Sequence, residues 1–303
     1  MAEHTCGVLQ LRGGGGEPVI LDRVFLSHGV ASLPPNIVRP GILTTLLAGP
    51  DGGVRQLTVR RSGADSATVT CDGPRPPARE AEWWLEQATR MLRLKDDLSP
   101  FYELAAADPE LGWVAAGAGR MLAAPTVFEE LIKTLCTTNC SWGATERMVE
   151  ALVQNLGAAG AGGRRTFPTT AEQMAQAPGS IYRETVRAGY RARYLQECAQ
   201  MVASGRVALE ELRDPGLPDE EVEHRLLALP GVGPYAASHL MLTALGRYHR
   251  LVLDSWTLPT WAKRSGAAPD VRAVEARFEA FGRYRGLAFW MYLTEHWTES
   301  PTG

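Results

Sequence analysis

The chain has 303 residues, of which 45% are hydrophobic and 21% charged, with a formal net charge of −3; this is the composition of a globular protein large enough to bury a substantial core in one or two domains. No apolar run is long enough to span a bilayer, and the N-terminus lacks the basic-then-apolar order of a secretory signal. Five scattered cysteines, at 6, 71, 136, 140 and 198, do not make a disulfide framework, so a cytoplasmic protein with reduced thiols is expected.

Residues 1–17 hold the run Gly13 to Gly16 and no periodic apolar pattern, which predicts a mobile tail. Over 18–78 the signals are those of strands. Val19-Ile20-Leu21, Gln56 to Arg60 and Ala67 to Cys71 are β-prone runs separated by turns such as Asp51-Gly52-Gly53, and together they predict a small antiparallel sheet. Pro74 to Pro77 close that region. From 79 to 303 helical spacing dominates, beginning with an apolar side made of Trp83, Trp84, Leu85, Ala88, Met91 and Leu92. The predicted fold class is α+β, a small N-terminal antiparallel sheet domain followed by a mainly helical body. Cys136 and Cys140 lie one helical turn apart, but no histidine or further cysteine is near them in sequence, so core thiols are expected and no metal site is predicted. Gly160 to Gly163 with Arg164 and Arg165 read as a surface loop.

The segment 219–246 carries the most specific pattern. Asp219 is a candidate N-cap, Glu220 and Glu221 suit the positive first turn, and Val222, Leu226, Leu227 and Leu229 mark an apolar face that Pro230 ends. Gly231 and Gly233 permit a tight turn, and Pro234 suits the first position of a second helix running to about Leu245. A helix-hairpin-helix results. Its turn, Leu229 to Gly233 with Tyr235, would present amide N–H groups where a DNA phosphate can bind without reading sequence.

After that helix comes Leu251-Val252-Leu253-Asp254-Ser255-Trp256. A carboxylate among apolar residues needs a reason, either as a cap for a helix beginning near Trp256 or as a catalytic group, and the two roles can coexist. The net charge is negative, yet Arg183, Arg187, Arg191 and Arg193 cluster against Glu184 alone. Arg247, His249 and Arg250 precede Asp254, and Lys263 and Arg264 follow it. Basic residues on both sides of the hairpin fit an electrostatic footprint on nucleic acid, with solvated faces as the alternative.

The stretch from Leu229 to Asp254 resembles the helix-hairpin-helix, glycine-proline loop and aspartate that name a DNA glycosylase superfamily (HhH-GPD). Phe128 to Asn139 and Ala188 to Tyr194 both resemble segments of its alkylpurine (3-methyladenine) and 8-oxoguanine branch, and the matches cover most of 120–297. The resemblance implies a double-stranded DNA partner, a monomeric enzyme located with the nucleoid, and Asp254 as the catalytic carboxylate. It implies Leu229, Gly231, Val232, Gly233 and Tyr235 as the backbone grip, Asn139, Tyr190 and Arg191 as the wedge and orphan-base residues, and Tyr235, His239 and Trp256 as the base pocket. Ser27 to Val30 loosely resembles a loop that reads the base in the 8-oxoguanine branch. No counterpart of that branch's second orphan-base arginine lies near Ala144. Some relatives hold an iron-sulfur cluster with four C-terminal cysteines, but no cysteine follows Cys198, so none is expected. No cofactor is implied beyond a monovalent cation that such a hairpin can hold. Bifunctional members place a lysine nucleophile where this chain has Tyr235. A monofunctional glycosylase of alkylated purines is therefore the leading expectation. Removal of 8-oxoguanine or another modified base, and a non-catalytic DNA-binding module, are the alternatives.

Overall fold

A computed structural model describes residues 2–168 and 170–298. Five antiparallel strands, β1 (Glu3–Gln10), β2 (Ile37–Arg39), β3 (Ile42–Ala48), β4 (Val54–Arg61) and β5 (Ser66–Asp72), form one sheet in the order β1-β5-β4-β3-β2. The helices follow, apart from α1 (Leu21–Phe25), which lies between β1 and β2: α2 (Ala78–Met91), α3 (Ser99–Ala106), α4 (Val127–Thr137), α5 (Trp142–Leu156), α6 (Ala171–Gln176), α7 (Arg191–Ala203), α8 (Asp219–Leu227), α9 (Pro234–Leu240), α10 (Thr257–Ser265), α11 (Val271–Phe278) and α12 (Arg285–Thr294). The α+β class with an N-terminal sheet is thus the observed one.

Two readings of the N-terminal region are corrected. Glu3–Gln10 is an edge strand rather than a mobile tail, paired along β5 with a bulge between Thr5 and Gly7. The glycine run after it is a docked turn. The Gly14 N–H donates to the Asp96 carbonyl at 2.9 Å, and a Cβ on Gly14 would come within 2.4 Å of the Lys95 oxygen. The turn ends at Glu17, which is buried, accepts the Leu98 N–H at 2.8 Å and pairs with the buried Arg120. A buried carboxylate left without that partner would be costly, so the pair fixes the turn. Val19 to Leu21 is the second correction: it makes no strand, and Leu21 opens α1.

Three buried clusters organise the interior. One lies between the sheet and α2, through Trp84, Ala88 and Met91. A second joins α4, α5, α7, α8 and α9, and a third joins α3, α11 and α12. Tyr235, at the start of α9, packs against both helical clusters and so sits on the seam between them. No described helix is long and apolar enough to cross a membrane.

Candidate active site

The hairpin forms as the sequence predicts, with shifted ends. Pro218, not Asp219, precedes α8; the Asp219 carboxylate instead pairs with Arg247 at 2.5 Å and His249 at 2.7 Å. Helix α8 stops at Leu227, before Pro230, and α9 passes into a π turn, Met241–Leu245, closed by Gly246 in the left-handed region. Leu229 and Val232 are buried and anchor the turn through a Val232 N–H to Leu229 carbonyl bond of 3.1 Å. Gly231 has φ +78°, and a Cβ there would strike the Tyr194 ring at 2.6 Å. A Cβ on Gly233 would meet nothing within 4 Å. Its N–H and that of Tyr235 have no carbonyl partner among the described residues. Two free donors beside open space at a helix start form the geometry that a phosphate needs.

Asp254 is half-buried rather than buried. Its Oδ1 accepts the N–H groups of Trp256 at 2.8 Å and Thr257 at 2.7 Å, and its own N–H donates to Thr257 Oγ1 at 2.8 Å. It therefore caps the turn that leads into α10, whose N-cap position is Trp256, and two backbone donors hold the carboxylate in one orientation. Tyr235 is near it. Burial pushes the phenol's pKa up, against a 3.2 Å hydrogen bond with Thr137 Oγ1, and the charge of Asp254 adds to the rise.

Beyond Tyr235 lies an aromatic and imidazole surface. His239 is buried, its ring centroid 5.9 Å from Tyr235, 5.9 Å from His28 and 6.2 Å from Trp290. Trp256 is 38% exposed and 5.9 Å from Trp290, with Trp297 5.6 Å away. The three predicted pocket residues are thus linked, Tyr235 to His239 directly and His239 to Trp256 through Trp290. His28 Nε2 lies 2.8 Å from the Leu122 carbonyl, which fixes the proton on that nitrogen, and its buried Nδ1 has no hydrogen-bond partner among the described residues. Burial lowers both imidazole pKa values, that of His239 to about 3 with His28 adding to the effect. Both are neutral at physiological pH. Trp290 has the spacing of a core residue in α12, and His28 lies in the 27–30 segment. Only the fold brings segments 27–30, 235–239 and 285–297 together.

The wedge candidates share one ledge. Asn139 has φ +47°, and its Nδ2 donates to the Tyr190 hydroxyl at 3.1 Å. Tyr190 is 52% exposed. Arg191 departs from its expected role as a free reader of an orphaned base. It is buried, its Nε donates to Thr138 Oγ1 at 3.2 Å, its Nη2 donates to the Thr138 carbonyl, and its guanidinium covers the Tyr190 ring at 4.6 Å. It braces the ledge that carries Asn139 and Tyr190.

The basic footprint is narrower than the sequence predicts. Arg247 and Arg250 are neutralised by Asp219 and Glu223 of α8, and Arg264 pairs with Glu295. Arg183, Arg187 and Arg193 are exposed and have no ion pair among the described residues. Of three lysines, Lys133 is buried against Glu129, Lys95 pairs with Glu86, and Lys263 is exposed in the last turn of α10. No cluster of potential metal ligands occurs among the described residues.

No family model matches the chain. Among solved structures, a complex of MBOgg1 with a low-affinity DNA ligand is 18% identical and covers 97% of this chain and 99% of its own, with a TM-score of 0.72. The 3-methyladenine DNA glycosylase of Archaeoglobus fulgidus is 20% identical over 96% of this chain and 98% of its own (TM-score 0.73). The apo 8-oxoguanine glycosylase/lyase of Clostridium acetobutylicum is 17% identical over 92% and 94% (TM-score 0.69). The chain has the fold of the helix-hairpin-helix DNA glycosylases. In sequence it is similar to YfjP of Bacillus subtilis, provisionally named a DNA-3-methyladenine glycosylase, at 28% identity over 106 residues. That match spans 33% of this chain and 36% of the relative's length.

Proposed function

We propose that this protein is a monofunctional DNA glycosylase that removes alkylated purines and leaves an abasic site. The observation that carries the reading is the juxtaposition of a capped, oriented carboxylate, Asp254, with the aromatic start of a glycine-turn hairpin, Tyr235. The 229–235 turn holds a phosphate of duplex DNA, and the flipped nucleotide enters beside Tyr235, His239 and Trp256. When the glycosidic C–N bond breaks, the base leaves with the bonding electron pair and positive charge develops on the sugar. Asp254 stabilises that charge and accepts a proton from the attacking water, whose oxygen bonds to the sugar carbon.

The surroundings favour a base that needs no protonation to leave. Both histidines are neutral, and the Tyr235 phenol is held above its ordinary pKa, so no strong general acid faces the pocket. An N-alkylated purine already carries positive charge and departs neutral, and its cationic ring is attracted to aromatic faces. The absence of lysine at Tyr235 supports hydrolysis without strand cleavage, because a phenol cannot form the imine on which a lyase step depends. Single-turnover excision from duplexes carrying 7-methylguanine, a 3-methyladenine analogue, hypoxanthine, 8-oxoguanine or uracil tests this. Release of methylated purines, with strand breaks only after alkali, is expected; preferential 8-oxoguanine release or alkali-independent cleavage would overturn it.

A further inference from the structure

Trp142 opens α5 three residues beyond Asn139, and it is 42% exposed, unusual for so large an apolar side chain. Its indole lies against Gly29, where a Cβ would come within 2.8 Å of the ring, so the 28–29 backbone makes a seat that only glycine leaves open. Gly29 follows His28, whose ring touches His239. The short connection between α4 and α5 therefore runs from Thr137, bonded to Tyr235, through Thr138 and Asn139, bonded to Arg191 and Tyr190, to Trp142 on Gly29. The indole thus ties the 28–29 loop to the connection that carries Asn139.

Removing one base from a stack leaves its partner with an uncovered face. Arg191 is committed to Thr138 and Ala144 offers no hydrogen bond, which leaves the Trp142 face as the aromatic group beside the ledge, with the exposed Arg147 further along α5. We propose that Trp142 is the residue that stacks on the orphaned partner base, and that this contact makes the protein tolerant of which base lies opposite the lesion. An aromatic face accepts any of the four bases, whereas a guanidinium selects by hydrogen bonding. The inference rests on the base-flipping reading above and adds a residue and a specificity to it.

The test is equilibrium binding to duplexes with a tetrahydrofuran abasic-site analogue opposite A, C, G or T, and to one with tetrahydrofuran on both strands. Wild type should bind the four partnered duplexes within about threefold of one another, because stacking energies differ little among bases. Trp142→Ala should weaken binding to each of them by roughly tenfold and leave the doubly abasic duplex unchanged, with an unaltered melting temperature. Trp142→Phe should restore most of the loss, and Gly29→Ala, which displaces the indole, should reproduce part of it. Equal loss on partnered and unpartnered duplexes, no loss, or loss confined to one partner base would overturn the assignment. Failure of the glycosylase reading has a separate signature: wild-type protein would show this binding pattern and release no base.

Discussion

Replacing Asp254 with asparagine separates its two roles. As a cap it accepts two N–H groups at 2.8 and 2.7 Å, and asparagine caps a helix start as well as aspartate does, so stability should change little. As a charge it has no substitute. A carboxylate about 4 Å from a developing sugar cation, in half-buried surroundings with an effective dielectric near 20, contributes about 4 kcal/mol. The amide dipole of asparagine recovers part of that, so a deficit of about 3–4 kcal/mol, or roughly a hundredfold to a thousandfold in rate, is expected. The assay is single-turnover excision with enzyme in excess, alongside abasic-duplex binding and thermal melting. Asp254→Asn should bind DNA and melt like wild type while excising at least about a hundredfold more slowly. Asp254→Ala should in addition melt about 1–2 °C lower, from loss of a cap worth about 1 kcal/mol. Excision by Asp254→Asn within a few fold of wild type would refute the electrostatic assignment, and a large melting shift in that variant would refute the separation of roles.

Borohydride in the excision reaction should trap no covalent protein–DNA adduct; a trapped band would place an imine-forming amine, Lys263 or the N-terminus, at the sugar. Gly231→Ala should lose at least about 1 kcal/mol of stability, because its Cβ meets both a left-handed backbone at φ +78° and the Tyr194 ring, and DNA affinity should fall with it; melting and binding check both. The histidine pair fixes an acid response. The folded pKa of His239, about 3, lies below its ordinary value of 6.5, so between those values the unfolded chain binds a proton that the folded chain refuses, and stability falls as pH drops from about 6.5 toward 3. Melting temperatures from pH 7.5 to 4.5 should decline less steeply in His239→Gln than in wild type, and identical slopes would show that the imidazole is not held neutral.

The parts of this molecule that follow local rules could be read from the chain. The glycine turn, Pro234 at a helix start and a carboxylate before α10 are each set by residues within a few positions of one another, and their geometry follows. The readings that failed depended on distant partners. Glu3–Gln10 is a strand because β5 offers an unpaired edge, not because of its own pattern, and Glu17 is fixed by Arg120, more than one hundred residues away. Asp219 carries a capping residue's signature but is drawn to Arg247 and His249. Arg191 looks like a DNA contact in a run of arginines until the Thr138 carbonyl claims it. The aromatic cluster lay furthest from reach, since Trp290 has the spacing of a core residue in α12 and is a core residue; it joins the candidate site because His239 and Trp256 pack against it.

These placements also account for a DNA-binding fold on a chain of net charge −3. Most arginines near the hairpin are consumed inside the protein: Arg247 and Arg250 tie α8 to the segment before Asp254, and Arg191 braces the wedge ledge. The exposed cations of that footprint without an ion pair among the described residues are Arg183, Arg187 and Arg193, near Tyr190 in sequence, and Lys263 in the last turn of α10. On the proposed reading, binding also draws on contacts available only once a base has left the stack. The proposed site offers those contacts in uncharged form, as backbone donors at Gly233 and Tyr235 and aromatic faces at Tyr235, Trp256 and Trp142. On the same reading Asp254, held by two backbone donors, is the oriented charge where positive charge develops on the sugar.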